Sequence, residues 1–259
     1  MSANGQPFST RVVMVLVVAG TLLAFSAILL SGFGDDLMRS YARTPGPLER
    51  NATGFAALRA LVTRTGGEGA LATTAQQAES RPHLLVLTPD IATRPEDVAA
   101  LMQRRAALAA DAAAEAERDG LGEPERFPTL VILPKWKVEA IPLARARVRS
   151  TGTVGYPQRV AMLRALGIAP SPQLFDLERR HTAPAAGLRP FMVPDVLVVF
   201  RGGNVTPLIG GSRRAAVLGR VGTAASYVLT DPDLLNNRGL KPRNNAHAAL
   251  ALLAALDPV

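Results

Sequence analysis

The chain has 259 residues, 48% of them hydrophobic, and a net charge of +8, which allows one large domain or two small ones with ample core. It has no cysteine, which excludes disulfides, thiolate nucleophiles and cysteine-ligated zinc or iron–sulfur centres. Its excess charge is carried almost wholly by arginine, spread along the chain with only 5% aromatics. That pattern reads as a solvated basic surface and not as an aromatic-studded nucleic-acid groove, so no nucleic-acid partner is expected.

Residues 1–11 form a short N-terminal tail. Val12 to Leu30, "VVMVLVVAGTLLAFSAILL", carries no charge, and Thr21 and Ser26 are its only hydroxyls. At about 1.5 Å per residue it is long enough for the hydrocarbon core of a bilayer. A cleaved signal peptide would have a shorter apolar region, about 7–15 residues, followed by a small-x-small site. The flank here is "SGFGDD". The expectation is therefore one transmembrane signal anchor over 12–30, contacting the lipid bilayer, with a linker over 31–39. Orientation stays open: Arg39, Arg43 and Arg50 favour an inside C-terminal flank, while Asp35 and Asp36 lean the other way.

From residue 40 onward the pattern alternates between helical and strand-like runs. "NATGFAALRALVTRTGG" places Phe55, Leu58 and Leu61 or Val62 at helical spacing, with Asn51 or Thr53 as cap and Gly66 as stop. "HLLVLTPD" reads as a buried strand and its exit. "TRPEDVAALMQRRAALAADAAAEAERDG" opens with a capping box, Thr93 and Glu96 around Pro95, and should run as a long helix to Gly120. "TLVILPKW" is a second buried strand with a proline exit. "ARARVRS", Ala144–Ser150, suits a strand exposed on one face, its arginines keeping a sheet edge from pairing.

"PQRVAMLRALG" reads as a short helix. Four strand-like runs follow, Val196–Phe200, Val205–Ile209, Ala215–Val221 and Ser226–Thr230, with "RGGN" and "GGSRR" as hairpin turns. The last helix, "NAHAALALLAAL", aligns Ala246, Leu250, Leu253 and Leu256, is capped by Asn244 or Asn245, and should be covered on more than one side. The order predicts one α/β domain over 40–259. Its sheet is expected to be mostly parallel and doubly wound, flavodoxin-like or amidotransferase-like, with an antiparallel C-terminal extension and one transmembrane helix in front.

Ligands of open α/β sheets bind beyond the carboxyl ends of the strands. Three exits carry polar groups: Thr88-Pro89-Asp90, Pro134-Lys135-Trp136 and Asp231-Pro232-Asp233. If parallel, they converge, and Asp90, Lys135, Trp136, Asp231, Asp233 and Arg238 line one rim. X-Pro pairs are also ordinary chain-turning devices, and aspartates cap turns. The segment "TDPDLLNNRGLKPRNNAHAALALL" holds four of the chain's seven asparagines. Capping accounts for part of it, with Gly239 and the asparagines tolerating a left-handed backbone. Asn236, Asn237 and Arg238 remain as candidates for a structural lock or a ligand site.

No P-loop, no G-x-G-x-x-G, no G-x-S-x-G elbow and no H-E-x-x-H is present, and the calcium-loop spacing is absent. His83, His181 and His247 lie far apart. Neither a catalytic residue, a metal site nor a cofactor is assigned.

The motifs Asp231-Pro232-Asp233, Asn237-Arg238-Gly239-Leu240 and Asn245-Ala246, with "GFAALRALVTRTGG", "LLVLTPD" and "LVILPKW", resemble an uncharacterised bacterial family of membrane-anchored proteins, a domain of unknown function. That family is similar to class I glutamine amidotransferase-like domains and to accessory subunits of gliding-motility ABC transporters. The resemblance implies an N-terminal anchor in the bacterial inner membrane and an α/β domain on the periplasmic side. It also implies MoxR-type AAA ATPases and von Willebrand factor A-type proteins as company. Family members usually carry a second membrane helix after the domain, and this sequence stops at "LDPV", which reads as truncation before it. Amidotransferase chemistry needs a nucleophilic cysteine, so that activity does not carry over.

The leading expectation is a non-enzymatic, membrane-anchored assembly, scaffold or ligand-sensing component of an envelope system. One alternative is a hydrolase or transferase using Asp90, Asp231 and Asp233. Another is a carbohydrate- or peptide-binding module using Trp136, the chain's single tryptophan.

Overall fold

The computed structural model describes residues 12–24, 46–120, 123–141, 147–169, 177–178, 183–184, 188–192, 197–210, 215–222 and 225–257. The linker 31–39, the last part of the expected anchor and His181 lie outside them.

The first helix, α1, covers residues 12–24. Its large apolar side chains, Val12 through Leu23, are 44% to 71% exposed all round the helix. Even its one hydroxyl is turned inward, Thr21 Oγ1 donating to the Val17 carbonyl at 2.8 Å. No helix among the described residues is long and apolar enough to cross a membrane. The stretch 12–30 expected to do so is described only to residue 24.

Among the described residues five further α-helices follow: α2 (Ala56–Arg64), α3 (Ala75–Ser80), α4 (Pro95–Asp119), α5 (Tyr156–Ala165) and α6 (Arg243–Leu256). The strands are β1 (Leu85–Leu87), β2 (Thr129–Ile132), β3 (Trp136–Ala140), β4 (Val148–Thr153), β5 (Leu177–Glu178), β6 (Ala183–Pro184), β7 (Leu197–Val198), β8 (Val205–Gly210), β9 (Ala216–Val221) and β10 (Ser226–Leu229). The main sheet runs β1-β2-β10-β9-β8-β6. β1, β2 and β10 are parallel neighbours, and β9, β8 and β6 extend the sheet antiparallel. The α/β class and the antiparallel C-terminal part are as expected. The sheet is mixed and not mostly parallel, since three of its five ladders are antiparallel.

Both faces of the sheet are covered, which is why β2 reads as an unbroken apolar run. Leu130 and Ile132 point into one core with Leu58 of α2, Leu229 of β10, and Ala248, Ala249, Leu252 and Leu256 of α6. Val131 and Leu133 point into the other with Val98 and Met102 of α4, Met162 and Leu163 of α5, and Val228 of β10.

Local signals fared unevenly. α4 begins at Pro95, carries Glu96 and Asp97 in its first turn, and ends on Gly120 in the left-handed region at φ 62°. Its expected capping box does not form: Thr93 Oγ1 accepts from the Asp90 amide at 3.0 Å and donates to Asp90 Oδ1 at 2.7 Å. Neither Asn51 nor Thr53 caps α2, and no side chain caps α6 at its N-cap Pro242. The buried stripe of α6 runs through Asn245, Ala248, Ala249, Leu252 and Leu256, displaced from the expected one because Asn245 turns inward. β7 pairs with β5, so "RGGN" does not close a hairpin between β7 and β8. β8 and β9 do form a hairpin, whose turn 211–214 lies outside the described residues.

Candidate functional site at the strand-exit rim

Parallel pairing of β1, β2 and β10 brings their three exits to one rim. There Lys135, Asp231 and Asp233 meet. Lys135 Nζ donates to Asp231 Oδ2 at 2.8 Å, to Asp231 Oδ1 at 3.1 Å and to Asp233 Oδ2 at 2.8 Å. All three are sealed from solvent, at 1%, 0% and 3% exposure.

Every carboxylate oxygen holds two donors. Asp231 also accepts from the amides of Val198 at 2.8 Å and Asp233 at 3.0 Å. Asp233 also accepts from Trp136 Nε1 at 2.8 and 3.0 Å and from Asn236 Nδ2 at 2.7 Å. Asn236 passes the network on, its Oδ1 accepting the Gly239 amide at 2.9 Å. Position 239 must be glycine here because a Cβ would lie 1.6 Å from the Asp233 carbonyl. This is close approach and not the left-handed backbone expected. Among the described non-glycine residues only His83 has positive φ.

Burial raises the Asp231 carboxyl from 3.8 to about 6, against the pull of Lys135 and the amides and with the push of Asp233. It is ionised at neutral pH. A second buried cation, Arg159 of α5, feels the Asp231 charge: burial lowers its pKa, and Asp231 offsets only part of that. Lys135 Nζ also sits 5.0 Å from the centre of the half-buried Trp136 ring.

Asn237 and Arg238 belong to a neighbouring latch. The Asn237 amide donates to the Gly54 carbonyl at 2.8 Å and the Arg238 amide to Ala52 at 3.0 Å. Asn237 Nδ2 donates to the carbonyls of Glu49 at 2.8 Å and Asn51 at 2.6 Å. Its Oδ1 accepts the Ala57 amide at 2.7 Å. The Arg238 side chain is exposed. Asn51 folds the strapped segment on itself, Oδ1 accepting from Thr53 N, Thr53 Oγ1 and Gly54 N. Asp90 does not join the cluster through hydrogen bonds: its Oδ1 accepts from Ala92 N and Thr93 Oγ1, inside its own turn.

Above the cluster lies a depression of about 270 Å³, open to solvent, whose border includes Thr53, Phe55, Pro89, Lys135, Trp136 and Pro232. Its enclosed part has room for one water molecule at most. Among the described residues no three His, Asp or Glu side chains gather as a metal-holding group.

The structural roles of four residues escaped the sequence reading. Arg105 is 1% exposed in α4, with Nε on Thr129 Oγ1 at 2.9 Å. Its other nitrogens donate to the carbonyls of Ala78, Glu79, Arg81, His83 and Pro128. Burial lowers it to about 10, so it stays charged. A signal was present: Val98, Met102 and Arg105 fall at i, i+4 and i+7 on one stripe, and Arg159 sits the same way with Met162 and Leu163. Asn245 clamps Met192, accepting its amide at 2.6 Å and donating to its carbonyl at 3.0 Å. Thr230 Oγ1 donates to the Val198 carbonyl at 2.7 Å.

The site thus defines an α/β protein with a closed ionic lock at its strand rim. No protein-family model, curated protein or solved structure matches the chain.

Proposed function

We propose that this chain is a non-enzymatic, membrane-anchored α/β domain acting as an assembly, scaffold or ligand-sensing component of a bacterial envelope system. One observation carries the reading. The polar groups that the fold gathers where α/β enzymes place their chemistry are spent on one another and sealed, with Asp231 and Lys135 at 0% and 1% exposure. A general acid, base or nucleophile needs an approach path and a free lone pair or proton. These carboxylates offer neither, each oxygen already accepting two bonds.

The exposed apolar surface of α1 supports the anchor, because side chains of that kind at 44% to 71% exposure are stable in lipid and costly in water. The finer fold reading is an amidotransferase-like or flavodoxin-like core, resting on the parallel β1-α4-β2 unit and helices on both faces. The periplasmic placement and the MoxR-type ATPase and von Willebrand factor A-type partners rest on the resemblance described above.

The test is twofold. The full chain should remain with the membrane fraction after alkaline carbonate extraction, and a chain lacking 12–24 should be released. Purified protein should show no turnover in broad hydrolase and transferase screens. Turnover abolished in Asp231→Asn or Lys135→Met proteins that still fold would sink the reading.

A further inference from the structure

β3 leaves the strand-exit rim at Trp136 and pairs antiparallel with β4 as a two-stranded ribbon outside the main sheet. Its pairing puts Glu139 opposite Arg149 and Ala140 opposite Val148. Side chains alternate along a strand, and directly paired residues share a face. Lys137, Glu139, Arg147 and Arg149 therefore lie on one face, and all four are exposed. The other face presents Trp136, Val138 and Val148, each half-buried. Among the described residues of the ribbon, Glu139 is the only acid against three cations. Lys137, Arg147 and Arg149 enter no ion pair within 4.0 Å among the described residues.

The position of this face matters as much as its sign. The Gly46–Phe55 segment is strapped to the same rim, where Thr53 and Phe55 border the depression that Trp136 also borders. Between that segment and α1 lie only residues 25–45. A chain of that length reaches at most about 80 Å. Whatever surface holds α1 is thus within reach of the rim from which the ribbon projects.

We infer that the basic face of the β3–β4 ribbon docks on the anionic phospholipid surface of the membrane that holds α1. The inference rests on the anchor reading of α1 and adds a second contact that fixes how the domain lies against the bilayer. Cationic residues gain from anionic headgroups only within about a Debye length, ~10 Å at 0.1 M salt, so the contact is sensitive to salt and lipid charge. One apolar anchor plus one basic patch is the kind of double signal that fixes orientation as well as attachment.

The experiment uses the full chain in nanodiscs of phosphatidylcholine alone and of phosphatidylcholine with phosphatidylglycerol. Hydrogen exchange is followed by mass spectrometry over 136–153. Exchange there should slow on the anionic discs only, and the protection should vanish at high salt. Each neutralised cation should lower the ratio of docked to undocked ribbon about fivefold. The triple variant Lys137→Gln, Arg147→Gln, Arg149→Gln should lose the protection while keeping the wild-type urea midpoint. Should that variant unfold, single Arg147→Gln and Arg149→Gln proteins should each show the partial loss. Equal exchange on both discs, or protection that survives the triple variant, overturns the docking alone. Failure to insert into neutral discs overturns the anchor and the docking with it.

Discussion

Asn237 caps a helix that begins far upstream of it: its Oδ1 accepts the Ala57 amide at 2.7 Å across a separation of 180 residues. Helix α2 has no local side-chain cap, so its first turn depends on the C-terminal loop. The segment leading back to α1 and the loop at the strand rim are therefore one mechanical unit.

Replacing Asn237 with alanine should remove the cap and leave the Glu49 and Asn51 carbonyls with only their longer bonds from the Ala56 amide at 3.3 Å and the Gly54 amide at 3.2 Å. The expected cost is about 1–2 kcal/mol, one lost cap plus two lost side-chain bonds. Urea unfolding should report it, and exchange of the 46–64 amides should rise more than exchange of β2. An Asn237→Asp protein keeps the acceptor for Ala57 but turns a charge toward two carbonyls. It should be less stable than Asn237→Ala.

Lys135→Met leaves two buried carboxylates without their shared cation. A loss of about 3–5 kcal/mol is expected, the usual penalty for breaking a buried pair on one side. Adding Asp231→Asn and Asp233→Asn to that protein should recover part of the loss in thermal melts, because no buried charge then lacks a partner. A milder Lys135→Met effect, below about 1 kcal/mol, would mean the lock is solvated.

The Asp231 carboxyl sets a slope of stability with pH. Its folded pKa, about 6, lies above the usual 3.8. The folded state therefore binds more protons than the unfolded chain between those values. Its contribution is most favourable below about pH 4 and declines as pH rises through about 6. Urea midpoints of wild type and Asp231→Asn between pH 4 and 7 isolate it: the difference between the two proteins should change across that window and level off above it.

Arg105→Lys tests the guanidinium fork in α4. A lysine has three donors and no planar fork, and cannot serve the six acceptors that Arg105 reaches. A loss of about 2–4 kcal/mol is expected from the carbonyls left unpaired. Calorimetry measures it, and exchange at the edge strand β1 should rise.

What could be read in the sequence was what depends on neighbours a few positions away. The runs "LVIL" and "YVLT" announce β2 and β10, and their X-Pro exits announce the rim. That Lys135, Asp231 and Asp233 would meet followed from assuming parallel strands. Hidden was the side on which those groups would fall. Whether Lys135 points to solvent or inward depends on the register of β2 against β10 and on α5, which delivers Arg159 from a distant part of the chain. The caps failed for the same reason. Asn51, Thr93 and Asn245 all carry capping chemistry, yet each spends it on a turn or a clamp, while α2 takes its cap from Asn237.

One consequence follows from where the indole lies. Trp136 is the chain's only tryptophan, and its N–H rests on Asp233 at 2.8 Å, inside the ionic lock. Any event that loosens the lock, whether a passing ligand or strain arriving along the Gly46–Phe55 strap, also changes the polarity around that ring. The molecule carries its own optical gauge, and the colour of a single emitter reports whether the rim is shut.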